Sequence, residues 1–173
     1  MTTPHFSTPT VREREEFFSS PLFPLPKKSY DIVHKAQHYN VHPVFHRECI
    51  EYVQYLDFCS GNAFKYLFRF KDKDNPAQDI SKALYYLSRA TPHVIPGHEK
   101  EVERLYHELH QEFHDWVVGK EKALNGGIDF FDMEVYGTLV DILGQCLGKE
   151  TSIEKNILEN YSKILQERLD NIL

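Results

Sequence analysis

The stretch ECIEYVQYLDFCSGNAFKYLFRFKDKDNPAQDISKALYYLSRA, residues 48–90, decides the fold of this chain. Apolar residues recur in it at spacings of three and four, which is typical of amphipathic helices. We predict a helix over 45–58, a chain break at 60–62 and a second helix over 63–70. A third helix begins at Pro76, because proline after an Asp-Asn pair is typical of a helix start. The second and third helices are expected to form an antiparallel hairpin.

The rest of the chain also shows helical patterns. Five of the nine prolines fall in residues 1–30, where we predict an extended arm. Further helices are predicted over 31–38, 99–118, 130–147 and 152–173. No alternating stretch is long enough for a strand, so the predicted class is all-α, a helical bundle built on the hairpin. The expected organisation is a Pro-rich arm over 1–30, a helical domain over 31–92 and a C-terminal helical region over 93–173.

The composition excludes several classes of function. The 20 Lys and Arg residues are outnumbered by 26 Asp and Glu residues, which gives a net charge of −6. Such a chain is unsuited to non-specific binding of duplex nucleic acid. No apolar run approaches the roughly 20 residues that cross a bilayer. The three cysteines form no CxxC pair and are interpreted as reduced thiols. We therefore expect a soluble cytoplasmic protein without a membrane partner.

Two predicted helices carry polar residues at helical spacing. One face of the second predicted helix has Asn62, Lys65 and Arg69, and one face of the third has Asp79, Lys82, Tyr86 and Arg89. Packing through the apolar sides would bring these rows to one edge. Arg and Lys there suit phosphate, and Gly61 would allow close approach at a helix N-terminus. The alternative is a solvated, salt-bridged surface hairpin.

The same region resembles a small domain family that is common in tailed bacteriophages. The motifs that carry the resemblance are His38-Tyr39, Glu48-Cys49-Ile50-Glu51, Gly61-Asn62, Lys65-Tyr66, Arg69, Lys71, Lys73, Asp79, Lys82-Ala83 and Tyr86-Leu87. They span about residues 34–90. Many members of this family have no known function, and one is a podovirus kinase for deoxynucleoside monophosphates. This chain departs from the family pattern before His38, where the usual proline is missing.

The resemblance implies a nucleotide-binding protein of a phage or prophage. It further implies phosphoryl transfer to deoxynucleoside monophosphates by a kinase without a P-loop. In that interpretation Lys65, Arg69 and Lys82 neutralise the phosphates, Asp79 orients a cation or Lys82, and Mg²⁺ bridges the phosphates. The ligand-binding residues would be His38, Tyr39, Gly61, Asn62, Lys65, Tyr66, Arg69 and Tyr86. A phage-encoded protein would act in the host cell cytoplasm.

Two other functions stay open. The protein could be a non-catalytic binder that sequesters a host signalling nucleotide with the same basic residues and without Mg²⁺. It could also be a helical adaptor that works through oligomer contacts. The C-terminal helices carry more apolar residues than a small bundle readily buries, so we expect a homo-oligomer. Those residues are Leu139, Leu143, Leu147, Ile153, Ile157, Ile164 and Leu165.

Several motifs resemble known sites without matching them. Histidines 34, 38, 42 and 46 would form a metal column on one straight helix, but Pro43 interrupts it. The pair His114-Asp115 is similar to the doublet of metal-dependent phosphohydrolases, yet we interpret it as part of a histidine-rich helix surface. The segment 144–151 has the wrong spacing for a phosphate loop, and Gly148 is expected to end a helix. No metal site is predicted.

Overall fold

A computed structural model describes residues 42–72, 74–122 and 129–171. The predicted Pro-rich arm, the predicted helix over 31–38, and the site residues His38 and Tyr39 lie outside these ranges. Six helices form the described part, and no strand occurs among its residues. They are α1 (Cys49–Val53), α2 (Phe58–Phe68), α3 (Pro76–Leu87), α4 (Glu99–Lys122), α5 (Phe130–Cys146) and α6 (Lys155–Asp170). The predicted all-α class is confirmed.

The chain break between the first two helices lies earlier than predicted. The predicted helix over 45–58 is wrong at both ends, because α1 covers only Cys49–Val53 and Phe58 already begins α2. The second helix then runs without interruption through 60–62. A long-range backbone contact explains the difference. The N–H of Ile95 donates to the carbonyl of Tyr55 at 2.7 Å, and the N–H of Asp57 donates to the carbonyl of His93 at 3.1 Å. These bonds take residues 55–57 out of the helix.

Helix starts and stops follow local chemistry. The side chain of Asp57 accepts from the N–H of Ser60 and caps α2, and Asn75 caps α3 just before Pro76. The amino end of α5 is capped by Asp129 in the same way. Its carboxyl end stops at Gly148, whose φ of 74° only glycine adopts readily. The prediction that Gly148 ends a helix is confirmed.

One core joins the helices on both sides of residue 92. α2 packs against α1, α3 and α5, while α3 and α5 pack against α6 and α4 packs against α5. Phe64, Leu67, Leu105 and Leu139 are fully buried in this core. Each such side chain contributes about 1.5–3 kcal/mol by leaving water. The predicted division between 31–92 and 93–173 therefore falls within a continuous hydrophobic core.

The apolar residues of the C-terminal helices pack mainly against the core of the same chain. Leu139 and Leu143 are fully buried, and Leu147, Ile153 and Leu165 pack against the core. The reason given above for a homo-oligomer, a surplus of apolar faces, does not hold for these five residues. The oligomeric state itself stays a prediction. None of the helices in the described ranges combines the length and the hydropathy needed to span a bilayer.

Candidate functional site: a cationic, aromatic face on the helical hairpin

An ion pair fixes the two helices of the hairpin at the predicted site. Arg69, just past the end of α2, donates from Nε to Oδ2 of Asp79 at 3.1 Å and from Nη2 to Oδ1 at 3.3 Å. The side chains are only 14% and 4% exposed. Because a buried carboxylate needs a partner, this bidentate contact satisfies Asp79 and also fixes the guanidinium.

Three cations surround one aromatic ring beside this ion pair. The distances to the centre of the Tyr66 ring are 4.7 Å from Lys65 Nζ, 4.8 Å from Arg69 Cζ and 5.4 Å from Lys82 Nζ. Rings attract cations over their faces, so Tyr66 helps to hold like charges close together. The spacing argument predicted that the two polar rows meet at one edge, and the structure brings Lys65, Arg69 and Lys82 together there, without Arg89.

Neutral amides hold the two lysine ammonium groups. Lys65 Nζ donates to Asn62 Oδ1 at 2.8 Å, and Lys82 Nζ donates to Gln78 Oε1 at 3.0 Å. Lys82 Nζ also lies 3.7 Å from Asp79 Oδ1. An ammonium group has three donors, so an amide acceptor positions it without neutralising its charge. Both lysines thus keep the capacity to bind an anion.

Aromatic rings extend the site along the hairpin. The rings of Tyr66 and Tyr86 stack at 5.9 Å with an interplanar angle of 13°, and Tyr86 meets Phe58 edge to face, also at 5.9 Å. Sequence analysis included Tyr66 and Tyr86 and missed Phe58. Its position four residues before Asn62 on the same helix could have identified it. We define the hairpin site by Phe58, Asn62, Lys65, Tyr66, Arg69, Gln78, Asp79, Lys82 and Tyr86.

Gly61 and Asn62 differ from their predicted roles. Gly61 lies within α2, and its N–H donates to the carbonyl of Asp57 at 2.9 Å as in any helix. The expectation that Gly61 opens a helix and offers its backbone to an anion is therefore wrong. Asn62 donates from Nδ2 to the carbonyl of Phe58 at 2.8 Å while Oδ1 accepts from Lys65. In this arrangement Asn62 positions Lys65.

The charge of the hairpin site suits an anion better than a metal ion. Lys65, Arg69 and Lys82 bring three positive charges and Asp79 one negative charge, which leaves two positive charges in an acidic protein. Both carboxylate oxygens of Asp79 accept from Arg69. The described residues include no group of three or more His, Cys, Asp or Glu that could hold a metal ion. These donors do not fit a Mg²⁺ ion held directly by the protein.

The remaining predicted residues lie elsewhere. Arg89 follows the end of α3, and its guanidinium lies 3.8 Å from the ring centre of Tyr85. Cys49 is buried, and burial raises the pKa of its thiol to about 12. A thiol with that pKa is protonated at neutral pH and belongs to the core.

The histidines do not form a site within the described part of the chain. Residues 42–48 are not helical, which confirms that Pro43 prevents a continuous histidine column. His42 is buried, and burial lowers its pKa to about 3. Its neutral ring accepts from the N–H groups of Val44 and Phe45 at 3.1 and 3.2 Å. His114 and Asp115 are exposed neighbours on α4, as expected of a surface pair.

An all-α fold with a basic, aromatic face on a helical hairpin is the class that these observations define. A family model described as DUF3310, a protein of unknown function, matches residues 33–88. The matched range contains the whole of α2 and α3 and every residue of the hairpin site. Neither the curated proteins nor the solved structures give a match to this chain. The similarity therefore supports a small family of unknown function over about a third of the chain.

Proposed function

We propose that the protein binds a nucleotide or a nucleotide-derived molecule at the hairpin site. The observation that carries this proposal is the gathering of three cationic side chains around the Tyr66 ring. Positive charges gathered around one ring repel each other, so a bound anion that neutralises them would make the arrangement more favourable. Lys65 and Lys82 are the phosphate ligands in this proposal, and Arg69 supports them from its ion pair with Asp79.

The aromatic component of the site supports a nucleotide over a simple anion. Tyr66 and Tyr86 form a stack beside the cations, and Phe58 extends it toward solvent. Cations for phosphate next to rings for a base are the combination that nucleotide-binding surfaces use. A site for inorganic phosphate alone would gain nothing from the exposed Phe58 ring.

Binding without turnover is the form of the function that the donors support best. Phosphoryl transfer relies on a metal ion or on a group that orients the attacking hydroxyl. Asp79 is the only carboxylate of the hairpin site, and Arg69 and Lys82 occupy its oxygens. Transfer to a deoxynucleoside monophosphate, which the resemblance implied, is therefore the second candidate, and a turnover assay tests it.

Calorimetric titration of the purified full chain with ATP and with GMP tests the proposal. We expect Lys65→Ala and Lys82→Ala each to weaken binding about tenfold to a hundredfold, because each removes a charged hydrogen-bond donor. Lys100→Ala, an exposed lysine on α4, is the matched control and should bind as the wild type does. Unchanged affinity in both site variants would reject the assignment.

A second assay separates the functions. Incubation with ATP, a deoxynucleoside monophosphate and Mg²⁺ should give no diphosphate product if the protein only binds. Product formation that disappears in Lys82→Ala would establish the kinase instead. If native mass spectrometry shows no bound nucleotide at saturating ligand, the adaptor function is favoured over both.

A further inference from the structure

Phe58 is the most exposed large apolar side chain of the described residues, with 74% of its surface in water. It is the first residue of α2 and contacts the Tyr86 ring edge to face. Single exposed apolar residues are ordinary on protein surfaces. Phe58 differs from the others because its ring contacts Tyr86 of the hairpin site and its carbonyl accepts from Asn62, the residue that holds the Lys65 ammonium group.

Phe58 lies on the same face of α2 as Asn62 and Lys65, and Arg69 continues that line just past the end of the helix. Residues 58, 62, 65 and 69 are separated by four, three and four positions, which places them on one stripe of a helix. Hydrogen bonds connect the stripe, since Asn62 binds the carbonyl of Phe58 and also the ammonium group of Lys65. A ligand that lies along α2 would therefore meet first an open ring and then positive charge.

The spacing along this stripe fits a nucleoside phosphate. Asn62 follows Phe58 by four residues, about 6 Å along the helix axis. The Lys65 ammonium group donates to Asn62 Oδ1 at 2.8 Å, so along α2 it lies about one helical turn beyond Phe58. A ribose unit separates the base from the first phosphate of a nucleotide over a comparable distance. Lys82 Nζ, 5.4 Å from the centre of the Tyr66 ring, would bind a second phosphate.

We propose that Phe58 is the base-stacking residue of the hairpin site and that the ligand class is the purine nucleoside phosphates. This inference rests on the proposed function, and it adds where the base lies and which bases are favoured. The open Phe58 ring offers stacking area, and a purine covers more of it than a pyrimidine does. Stacking does not read hydrogen-bonding edges, so the choice between adenine and guanine is weak.

Titrations with GMP, UMP and inorganic pyrophosphate test this inference on the full chain. We expect Phe58→Ala to weaken GMP binding about tenfold and to leave pyrophosphate binding unchanged. UMP should bind the wild type more weakly than GMP and lose less in the variant. Phe58→Trp should bind GMP about as well as the wild type does, because the indole ring can also stack on the base. Circular dichroism checks that each variant is folded.

Phe130→Ala is a closely matched control. Phe130 is likewise the first residue of a helix capped by an Asp, is 52% exposed and contacts the neighbouring ring of Phe131 edge to face. Its loss should leave GMP binding unchanged. The inference is overturned if Phe58→Ala binds GMP as the wild type does, or if it loses GMP and pyrophosphate equally. A wild type that binds neither GMP nor pyrophosphate would instead refute the proposed function.

Discussion

Arg69 and Asp79 connect the end of α2 to the first turn of α3 through two hydrogen bonds of 3.1 and 3.3 Å. Both side chains are largely buried, so the contact is part of the hairpin's structure as well as of its charged face. The guanidinium also lies 4.8 Å from the centre of the Tyr66 ring. Arg69 therefore belongs both to the buried ion pair that stabilises the hairpin and to the proposed ligand site. A substitution of Arg69 is expected to change the free energy of unfolding as well as ligand affinity.

Arg69→Ala should destabilise the protein strongly. From spacing alone one expects a surface arginine whose loss leaves the fold intact. In the structure its removal would take from the buried carboxylate of Asp79 its bidentate partner and leave it Lys82 Nζ at 3.7 Å. Breaking a buried pair from one side costs about 3–5 kcal/mol. Urea unfolding of the variant should show this loss in the free energy of unfolding.

A double-mutant cycle isolates the Arg69–Asp79 interaction. Asp79→Asn in the Arg69→Ala background removes the negative charge of the buried carboxylate and should recover part of the lost stability. Arg104→Ala breaks only solvent-exposed ion pairs on α4 and should have little effect. Equal loss of stability in Arg69→Ala and Arg104→Ala would contradict a structural role for Arg69.

Asn62→Asp should weaken nucleotide binding and leave the melting temperature nearly unchanged. The new carboxylate would hold the Lys65 ammonium group as an ion pair and place a negative charge beside the phosphates. Pairs of this spacing on a helix contribute only about 0.2–0.5 kcal/mol. The lost bond to the Phe58 carbonyl acts in the opposite direction. Calorimetry and thermal melting of this variant, with Asn62→Ala as the uncharged control, measure both effects. Intact nucleotide binding in Asn62→Asp would place the phosphates elsewhere.

Gly61→Ala should be tolerated and should leave ligand binding intact. The residue is helical, and an added Cβ would meet the Val53 carbonyl oxygen at 3.5 Å, an ordinary contact. Alanine in a helix interior is favoured over glycine by about 0.5–1 kcal/mol. Thermal unfolding should show a small gain in stability. A loss of nucleotide binding in this variant would restore a functional role for the backbone at Gly61.

Gly148→Ala should have the opposite effect on stability. Its φ of 74° lies in the left-handed region, where a Cβ costs about 1–2 kcal/mol. The N–H groups of Gly148 and Lys149 donate to the carbonyls of Gln145 and Gly144, so this residue closes the end of α5. The same unfolding experiment should show a lower free energy of unfolding. A variant as stable as the wild type would indicate that the end of α5 can rearrange.

The stability of the protein should fall in acid because of His42. Burial lowers the pKa of His42 from 6.5 to about 3, so between these values the unfolded chain binds a proton that the folded protein does not. The contribution of His42 to the free energy of unfolding is therefore fully present above about pH 6.5. Below that pH it decreases by up to about 1.4 kcal/mol per pH unit. His42→Phe should be less stable at neutral pH and should lack this part of the pH dependence.

Asp141 changes stability with pH in the opposite direction, and its contribution cancels when two variants that both contain it are compared. Burial raises the pKa of its carboxyl from 3.8 to about 6, so the folded protein binds the extra proton between these values and Asp141 favours folding in acid. Its contribution is the same in the wild type and in His42→Phe. The difference in unfolding free energy between the two, measured from pH 7 to pH 4, therefore reports His42. A constant difference would contradict a neutral, buried His42.

The sequence indicated the elements whose signals are local. The start of α3 at Pro76 and the end of α5 before Gly148 depend on residues that are adjacent in the chain, and both occur where expected. The polar rows of the hairpin were also predictable, because helical spacing fixes which residues share a face. Lys65 and Arg69 lie near the same ring for that reason, while Lys82 reaches it through the packing of α3 on α2.

The tertiary structure decided what depends on distant parts of the chain. The break before α2 lies at residues 54–57 because the backbone of residues 55–57 pairs with residues 93–95, which no local pattern reveals. The burial of Leu139 and Leu143 depends on where the other helices pack, so their apolar side chains alone did not distinguish a core from an interface. From its sequence pattern Asp79 is expected on the polar, solvent-facing side of a helix. Only the packing of α3 on α2 buries its carboxylate against Arg69.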